Sequence, residues 1–259
     1  MSSFDDNELT RDSFMGGRVW LRQPRRGYRA GVDPVLLASV VNAAPGQRVL
    51  ELGCGAGTAI LCLAARVPDL ALTGVELQQE YADLARRNAE ENGTPLDVIC
   101  ADLTALPSAL RQERFNHVIA NPPYFRAGAH SASPDAGRRT ALGEMTPLAD
   151  WVSVAARRLF DRGFLHVIQR ADRLPDLLAA CAGKMGSVEV LPLSGRLGRA
   201  PELILLRARK GGRGAFRLHA PVVMHEGPVH DDKRDKYTSE IDAVLRQGSP
   251  LEWPGPPKH

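Results

Sequence analysis

Residues 48–57 read RVLELGCGAG, and this stretch decides the fold of the chain. The apolar run from Val49 to Leu52 predicts a short buried strand, and the closely spaced Gly53, Gly55 and Gly57 predict a tight turn into a helix. A glycine-rich turn at this point lets the backbone approach a ligand and directs helix N–H groups toward it. The stretch therefore predicts a strand–turn–helix unit with a candidate ligand site at its turn.

The glycine spacing separates this turn from two common nucleotide-binding turns. A dinucleotide fingerprint needs Gly or Ala at the third glycine position of GxGxxG, and counting from Gly53 that position is Thr58. The phosphate-binding pattern GxxxxGK[ST] is absent from the sequence. What remains is a GxGxG turn with an acid, Glu51, two residues ahead of it.

The units that follow alternate between short apolar strands and helices. Repeated strand–helix units favour a parallel sheet with helices on both faces. The last two predicted strands lack a helix between them, which predicts a hairpin and one antiparallel strand at that edge. The fold expected is a Rossmann-like, doubly wound α/β sheet of about seven strands, mostly parallel, with strands at residues 48–53, 70–76, 96–101, 115–120, 163–169, 188–192 and 203–208.

The flanking segments differ from this central part in composition. The first ten or so residues look like a loose acidic tail, and residues 18–29 carry five arginines and no acid. The last thirty residues are rich in proline and charge and predict a peripheral tail with one short helix at 238–246. The expected division is a basic extension at 1–30, a main domain at 31–222 and a C-terminal tail at 223–259.

The overall composition is that of an ordinary globular protein. Of the 259 residues, 44% are apolar and 24% are charged, which excludes global disorder. We expect no membrane span and, from the polar start of the chain, no secretory signal, so a cytoplasmic location is predicted. The four cysteines form no CxxC pair and no zinc-type spacing, so they predict buried thiols in a reducing compartment and no metal site.

Two acids follow the second and third predicted strands. Glu76 ends the second strand, 19 residues after Gly57, where an acid accepts hydrogen bonds from ribose hydroxyls. Asp102 ends the third strand, where a carboxylate can meet the amino group of an adenine. Each acid also has an ordinary interpretation as a strand-end or helix-capping residue. Because the carboxyl ends of parallel strands line the ligand crevice of such a fold, the acids together favour a nucleotide-like ligand.

A second motif, Asn121-Pro122-Pro123-Tyr124, follows the fourth strand. An isolated Asn-Pro-Pro predicts only a stiff turn. At the end of a central strand, however, the two prolines leave carbonyl acceptors without competing N–H donors. The side-chain oxygen of Asn121 and the carbonyl of Pro122 can then each accept one hydrogen of an –NH2 group, and the ring of Tyr124 can stack on the base that carries it.

Taken together, ELGCGAG, Glu76, Asp102 and NPPY resemble the class I S-adenosylmethionine-dependent methyltransferases that modify a planar amino or amide nitrogen. The resemblance covers about residues 30–210. It implies S-adenosylmethionine as cofactor and no metal. It implies that the target nitrogen is held by Asn121, Pro122, Pro123 and Tyr124, and the cofactor by Asp33, Glu51, Gly53, Gly55, Gly57, Glu76, Leu77, Asp102, Leu103 and Asn121.

Several branches of this class carry NPPY. Residues 27–41, NPPYF and the segment from residue 200 onward resemble the bacterial enzymes that methylate N6 of adenine 37 in a valine tRNA. Methylation of a release-factor glutamine and N2-methylation of guanine in rRNA stay open as alternatives. A module that binds the cofactor without catalysis is also open, although an intact NPPY counts against it.

Basic residues favour an RNA substrate over a protein one. Seven arginines and lysines lie between residues 196 and 217 against one acid, which predicts a positive rim around the crevice. The oligomeric state, monomer or homodimer, stays open. The arginines expected to contact RNA are Arg25, Arg26, Arg29, Arg138, Arg139, Arg196 and Arg199.

Overall fold

The computed structural model describes residues 4–124, 146–227 and 236–255. Arg138 and Arg139 therefore lie outside the described residues. The strands in the described ranges are β1 (Leu9–Phe14), β2 (Val19–Pro24), β3 (Arg48–Leu52), β4 (Ala71–Glu76), β5 (Leu96–Cys100), β6 (Phe115–Ala120), β7 (Leu159–Arg170), β8 (Gly186–Ser194), β9 (Leu203–Arg209), β10 (Arg217–Leu218) and β11 (Val222–Val223).

The strands form two sheets, the pair β1-β2 and a sheet of nine strands that packs against helices in two hydrophobic clusters. Between β6 and the helix that precedes β7, residues 125–145 lie outside the described ranges. None of the helices described is both long enough and apolar enough to cross a bilayer. The α-helices are α1 (Asp33–Ser39), α2 (Thr58–Arg66), α3 (Gln79–Glu91), α4 (Ser108–Gln112), α5 (Leu148–Arg158), α6 (Leu174–Cys181) and α7 (Ser239–Asp242).

The main sheet has the order β10-β8-β9-β7-β6-β3-β4-β5, with β11 also paired to β8. Strands β7, β6, β3, β4 and β5 pair in parallel, which confirms the predicted fold class. Among the described residues the sheet has nine strands and not the seven predicted, because the short β10 and β11 add to β8. The antiparallel strand β9 is not at an edge, as the sequence analysis expected, but lies between β7 and β8. Its successive residues Ile204, Leu205 and Leu206 are at most 2% exposed, and side chains buried on both faces belong to an interior strand.

Residues 9–24 form a β-hairpin, and the described part of the predicted loose tail is ordered as a 3-10 helix, Asp6–Glu8, that leads into it. Strands β1 and β2 pair antiparallel through their full length. Asn88 of α3, which is fully buried, attaches this hairpin to the domain. Its Oδ1 accepts from the N–H of Arg22 at 2.8 Å, and its Nδ2 donates to the carbonyls of Arg22 at 3.1 Å and Ala56 at 2.9 Å. Of the five arginines in the basic run, Arg22 therefore lies in a strand held against α3, and Arg25, Arg26 and Arg29 follow that strand.

The C-terminal segment was predicted to be peripheral, but it packs into the hydrophobic core that also contains α1 and α2. The indole Nε1 of Trp253 donates to the carbonyl of Val40 at 3.0 Å, and its ring lies 4.5 Å from the guanidinium carbon of Arg207. The domain boundaries at residues 30 and 222 stay a prediction. The buried members of this segment are Ile241, Val244, Leu251 and Trp253.

A buried polar row crosses one face of the sheet. The Nε2 of His117 lies 3.0 Å from Oε1 of Gln47, and its Nδ1 lies 3.2 Å from Nε2 of His166. His166 pairs across the ladder with Arg207, whose guanidinium binds the Glu189 carboxylate at 2.6 Å. Burial lowers the pKa of His117 to about 4, and burial together with His117 and Arg207 lowers the pKa of His166 well below its ordinary value. Both imidazoles are therefore neutral at pH 7.

The Asn88 contacts predict a large effect on stability. Replacing Asn88 with Ala removes its bonds to the partly buried N–H and carbonyl of Arg22 and to the buried carbonyl of Ala56, so we expect the free energy of unfolding to fall by about 2–4 kcal/mol. Urea unfolding measures this loss. Asn92→Ala is the matched control: Asn92 also bonds to the backbone of β2, at Trp20, but it is only half-buried, so water can replace its contacts at less cost. Equal losses in the two variants would contradict this account.

The neutral histidines predict acid sensitivity. Their pKa values are lower in the folded than in the unfolded chain, so the unfolded state binds more protons below about pH 6.5 and stability falls as the pH falls. For His117, whose pKa is lowered to about 4, this loss is about 2 kcal/mol between about pH 7 and about pH 5. We expect His117→Gln to reduce the slope of unfolding free energy against pH across this range. Urea unfolding at several pH values gives the slope, and an unchanged slope would disprove the assignment.

Candidate active site

A cavity of about 390 Å³ opens at the carboxyl edge of the sheet, above β6, β3, β4 and β5. This volume lies within the range of small-molecule sites. The structure brings every predicted cofactor and target residue to this cavity except Gly57. The predicted residues that line it are Asp33, Glu51, Gly53, Gly55, Glu76, Leu77, Asp102, Leu103, Asn121, Pro122, Pro123 and Tyr124.

The glycine turn lines the cavity, and its backbone geometry requires glycine. Gly53, Gly55 and Gly57 have φ angles of 65°, 53° and 85°, in the left-handed region that favours glycine. A Cβ on Gly53 would lie 2.6 Å from Cη2 of Trp151, so the turn and α5 also approach closely. Gly57 lies outside the lining, and its carbonyl accepts the Leu61 N–H at the start of α2. Gly57 is the residue before the first turn of α2, and its positive φ allows the chain to enter the helix there.

Two buried carboxylates hold the turn in shape. Oε2 of Glu51 accepts from the N–H of Ile60 at 3.0 Å. Oε2 of Glu76 accepts from the N–H of Gly55 at 2.9 Å, and its Oε1 accepts from the N–H of Gln78 at 2.9 Å. Burial raises the pKa of both carboxyl groups, and these backbone hydrogen bonds oppose the rise. Each carboxylate oxygen has a second lone pair, so Glu76 keeps acceptors for a ligand.

Strand β5 is followed by an acid, Asp102, and by an apolar side chain, Leu103, that both line the cavity. Oδ1 of Asp102 accepts from the Thr104 N–H at 2.7 Å and hydroxyl at 2.8 Å, so this residue caps the short 3-10 helix Leu103–Ala105. The capping and ligand interpretations of Asp102 hold together, because the capped residue still lines the cavity. Leu77 is 43% exposed, which is unusual for leucine, and it faces the same cavity as Leu103.

The NPPY motif closes the opposite side of the cavity. The hydroxyl of Tyr124 donates to Oδ2 of Asp33 at 2.5 Å. Burial, and then the nearby Asp33 carboxylate, raise the pKa of this tyrosine far above its ordinary value, so it stays a neutral donor. Asp33 begins α1, which precedes β3. This bond therefore joins α1 to the NPPY loop, which we call the target loop. The expectation that Asp33 holds the cofactor stays a prediction.

Residues that sequence reasoning left out of the site also line the cavity. Tyr28, Tyr81 and Trp151 are three aromatic side chains in its lining. Burial and the Asp33 carboxylate raise the pKa of Tyr28 to about 12, although the residue as a whole is 48% exposed. Tyr28 is distinguished in the sequence by its position within the arginine run. Tyr81 and Trp151, by contrast, resemble ordinary core residues of helices.

The arginines expected at the RNA surface divide into two groups. Arg196 is 8% exposed and donates to the backbone carbonyls of Glu226 and Gly227, which are contacts within the fold. Arg29 lines the cavity and pairs with Asp12 at 2.8 Å. The exposed members are Arg25, Arg26, Arg29 and Arg199.

The donor and acceptor set fits S-adenosylmethionine. A Cβ on Gly55 would meet nothing within 4 Å, so the turn leaves open space for a ligand there. Carboxylates of Glu76 and Asp102 suit ribose hydroxyls and an adenine amino group, and the leucines that follow them suit the faces of a planar base. Among the described residues, no group of three or more His, Cys, Asp and Glu side chains is arranged to hold a metal.

Known proteins match both the sequence and the fold. A tRNA1(Val) (adenine(37)-N6)-methyltransferase from Porphyromonas gingivalis is 33% identical over 175 residues, 64% of this chain and 68% of its own length. A protein of the same name from Actinobacillus succinogenes is 26% identical and covers 91% of this chain and 96% of itself. The crystal structure of a predicted O-methyltransferase from Agrobacterium tumefaciens is 30% identical, with a TM-score of 0.69, over 85% of this chain and 99% of that one.

A family model gives the assignment that these relatives share. The model of the methyltransferase small domain matches residues 31–190, more than half of the chain. The predicted class, the S-adenosylmethionine-dependent methyltransferases, is therefore confirmed, and the chain belongs to the methyltransferase small domain family.

Proposed function

We propose that this protein transfers a methyl group from S-adenosylmethionine to N6 of an adenine in tRNA, at adenine 37 of a valine tRNA. The observation that carries the proposal is the placement of Asn121 and Pro122 in the same cavity as Glu76 and the glycine turn. We call the part of the cavity lined by the glycine turn, Glu76 and Asp102 the cofactor lobe, and the part lined by NPPY the target lobe. A target amine held by NPPY would therefore lie beside the cofactor lobe. The names of the two relatives described above support the choice of tRNA.

The residues of the loop act by position and charge. The cofactor supplies an electrophilic methyl group on its sulfonium. The lone pair of N6 is delocalised into the adenine ring, so the amine is a weak nucleophile. Acceptors at Asn121 Oδ1 and the Pro122 carbonyl orient both N–H bonds and stabilise the positive charge that develops on nitrogen. Tyr124, held by Asp33, supports the base, and water can take the proton from the methylated amine.

An amine fits this loop better than a hydroxyl does. One relative is titled a predicted O-methyltransferase. A hydroxyl offers one hydrogen and needs a base to become a good nucleophile. An –NH2 group offers two hydrogens, and NPPY provides two neighbouring neutral acceptors for them. The pair of acceptors thus favours nitrogen as the methylated atom.

Charge and aromatic surface favour RNA over a protein glutamine. A glutamine side chain also presents an –NH2 group, so the two acceptors alone do not discriminate. Tyr28 and Tyr124 line the same cavity and provide two flat rings suited to a base that has left its stack. Exposed Arg25, Arg26 and Arg199 supply positive charge for phosphate groups. A tRNA substrate also supports a cytoplasmic location.

The acceptor can be identified directly. We expect purified protein to transfer labelled methyl groups from S-adenosylmethionine to tRNA from a strain that lacks this protein, and nucleoside mass spectrometry to detect N6-methyladenosine. A valine tRNA transcript with guanine at position 37 should accept no label. Label entering a release factor and not RNA would favour the glutamine alternative, and N2-methylguanosine in rRNA would favour the guanine alternative.

Variants separate the two lobes of the cavity. Asn121→Ala removes an acceptor for the target amine, so we expect kcat to fall by at least about a hundredfold while the Kd for S-adenosylmethionine changes by less than about threefold. Glu76→Ala removes a cofactor acceptor and should show the opposite pattern, with a Kd raised by about tenfold or more. Calorimetry and single-turnover kinetics measure the two quantities. Near-normal turnover in Asn121→Ala would refute the proposed mechanism.

A further inference from the structure

One buried side chain outside the NPPY motif holds the motif from beneath. Gln169 lies near the end of β7 and is 0% exposed. Its Nε2 donates to the carbonyl of Pro122 at 3.3 Å and to the carbonyl of Pro123 at 3.3 Å. The predicted strand at residues 163–169 ends at Gln169, and the sequence indicated no function for this residue.

The amide of Gln169 is fixed in this direction by its own neighbour. Its Oε1 accepts from the backbone N–H of Arg170 at 2.9 Å. A reversed amide would place an NH2 group against that N–H and an oxygen against two carbonyls, so the contacts leave one favourable orientation. Both hydrogens of Nε2 are then committed to the proline carbonyls.

The prolines of the loop cannot fix their own backbone by donating hydrogen bonds. Pro122 and Pro123 carry no N–H, so neither residue can donate to the ladder of β6 or to a turn. Their carbonyls are held instead by the side-chain donor of Gln169. Each carbonyl oxygen has two lone pairs, so the bond from Gln169 leaves a second acceptor on Pro122 for a substrate.

We propose that Gln169 is a positioning residue, which holds the Pro122 carbonyl in the orientation that receives the target amine. The proposal rests on the proposed function, since it assigns to this carbonyl the role of amine acceptor. It requires no contact between Gln169 and substrate. Loss of the support should misplace one of the two acceptors and reduce the chemical step, while the cofactor lobe on β3, β4 and β5 stays intact.

The test uses two variants of the full chain. Gln169→Met keeps the volume of the side chain and removes both donors, so we expect kcat to fall by about ten- to a hundredfold while the KM for tRNA and the Kd for S-adenosylmethionine stay within about threefold. Gln169→Glu can donate one hydrogen when protonated and none when ionised. Its kcat, divided by that of the wild type, should therefore fall as the pH rises from about 6 to about 9.

A control on the same strand separates positioning from stability. Leu165 lies on β7 four residues before Gln169, is 1% exposed and packs in the same core, so Leu165→Val should lower the melting temperature and leave kcat near the wild-type value. Melting temperatures of all variants are measured at each pH. Assays are run at a temperature at which every variant is folded.

The outcomes distinguish this proposal from the proposed function. Gln169→Met with a kcat within about twofold of the wild type would overturn the role of Gln169. A kcat ratio for Gln169→Glu that stays constant across the pH at which the introduced carboxyl ionises would do the same. If the wild type labels a protein glutamine and not tRNA, the choice of substrate fails. The same comparison is then made on that acceptor, because both acceptors present an –NH2 group to the Pro122 carbonyl.

Discussion

Four neighbouring strands, in the order β6, β3, β4 and β5, run in parallel and therefore end at the same edge of the sheet. The glycine turn, Glu76, Asp102 and the NPPY loop each follow one of these strands. Distances of 19 to 64 residues along the chain thus become contacts around one cavity. Pairing of the sheet, and not local sequence, assembles the site, and so the contacts that secure the sheet also secure the chemistry.

Much of this central arrangement could be predicted from the sequence, because short apolar strands alternate with helices and each change is marked by glycine, proline or a charged residue. Strand β6 was predicted with its observed bounds, and β3, β4, β5, β7, β8 and β9 were predicted within about four residues at each end. Strands β1, β2, β10 and β11 were not predicted. The predicted residues Asn121 and Glu76 meet for the same reason: rules about parallel sheets convert the ends of strands into neighbours.

Contacts between distant segments could not be predicted in this way. Strand β9 has the same apolar composition whether it lies at an edge or inside the sheet, and its interior position depends on β8, which pairs along the side of β9 that β7 leaves open. The hairpin depends on Asn88, which in the sequence resembles any polar residue of a helix. Trp253 is surrounded by prolines and charges, yet its burial requires a partner, Val40, that is 213 residues away.

The target loop combines both kinds of information. Its residue types could be interpreted from the sequence, since the two prolines leave carbonyl acceptors without N–H donors of their own. Its geometry could not, because the donor to the proline carbonyls is Gln169 on β7 and the acceptor for Tyr124 is Asp33 on α1. The shape of the loop is therefore set by its neighbours. Substitutions in β7 and α1 should therefore be able to alter turnover without touching the motif itself.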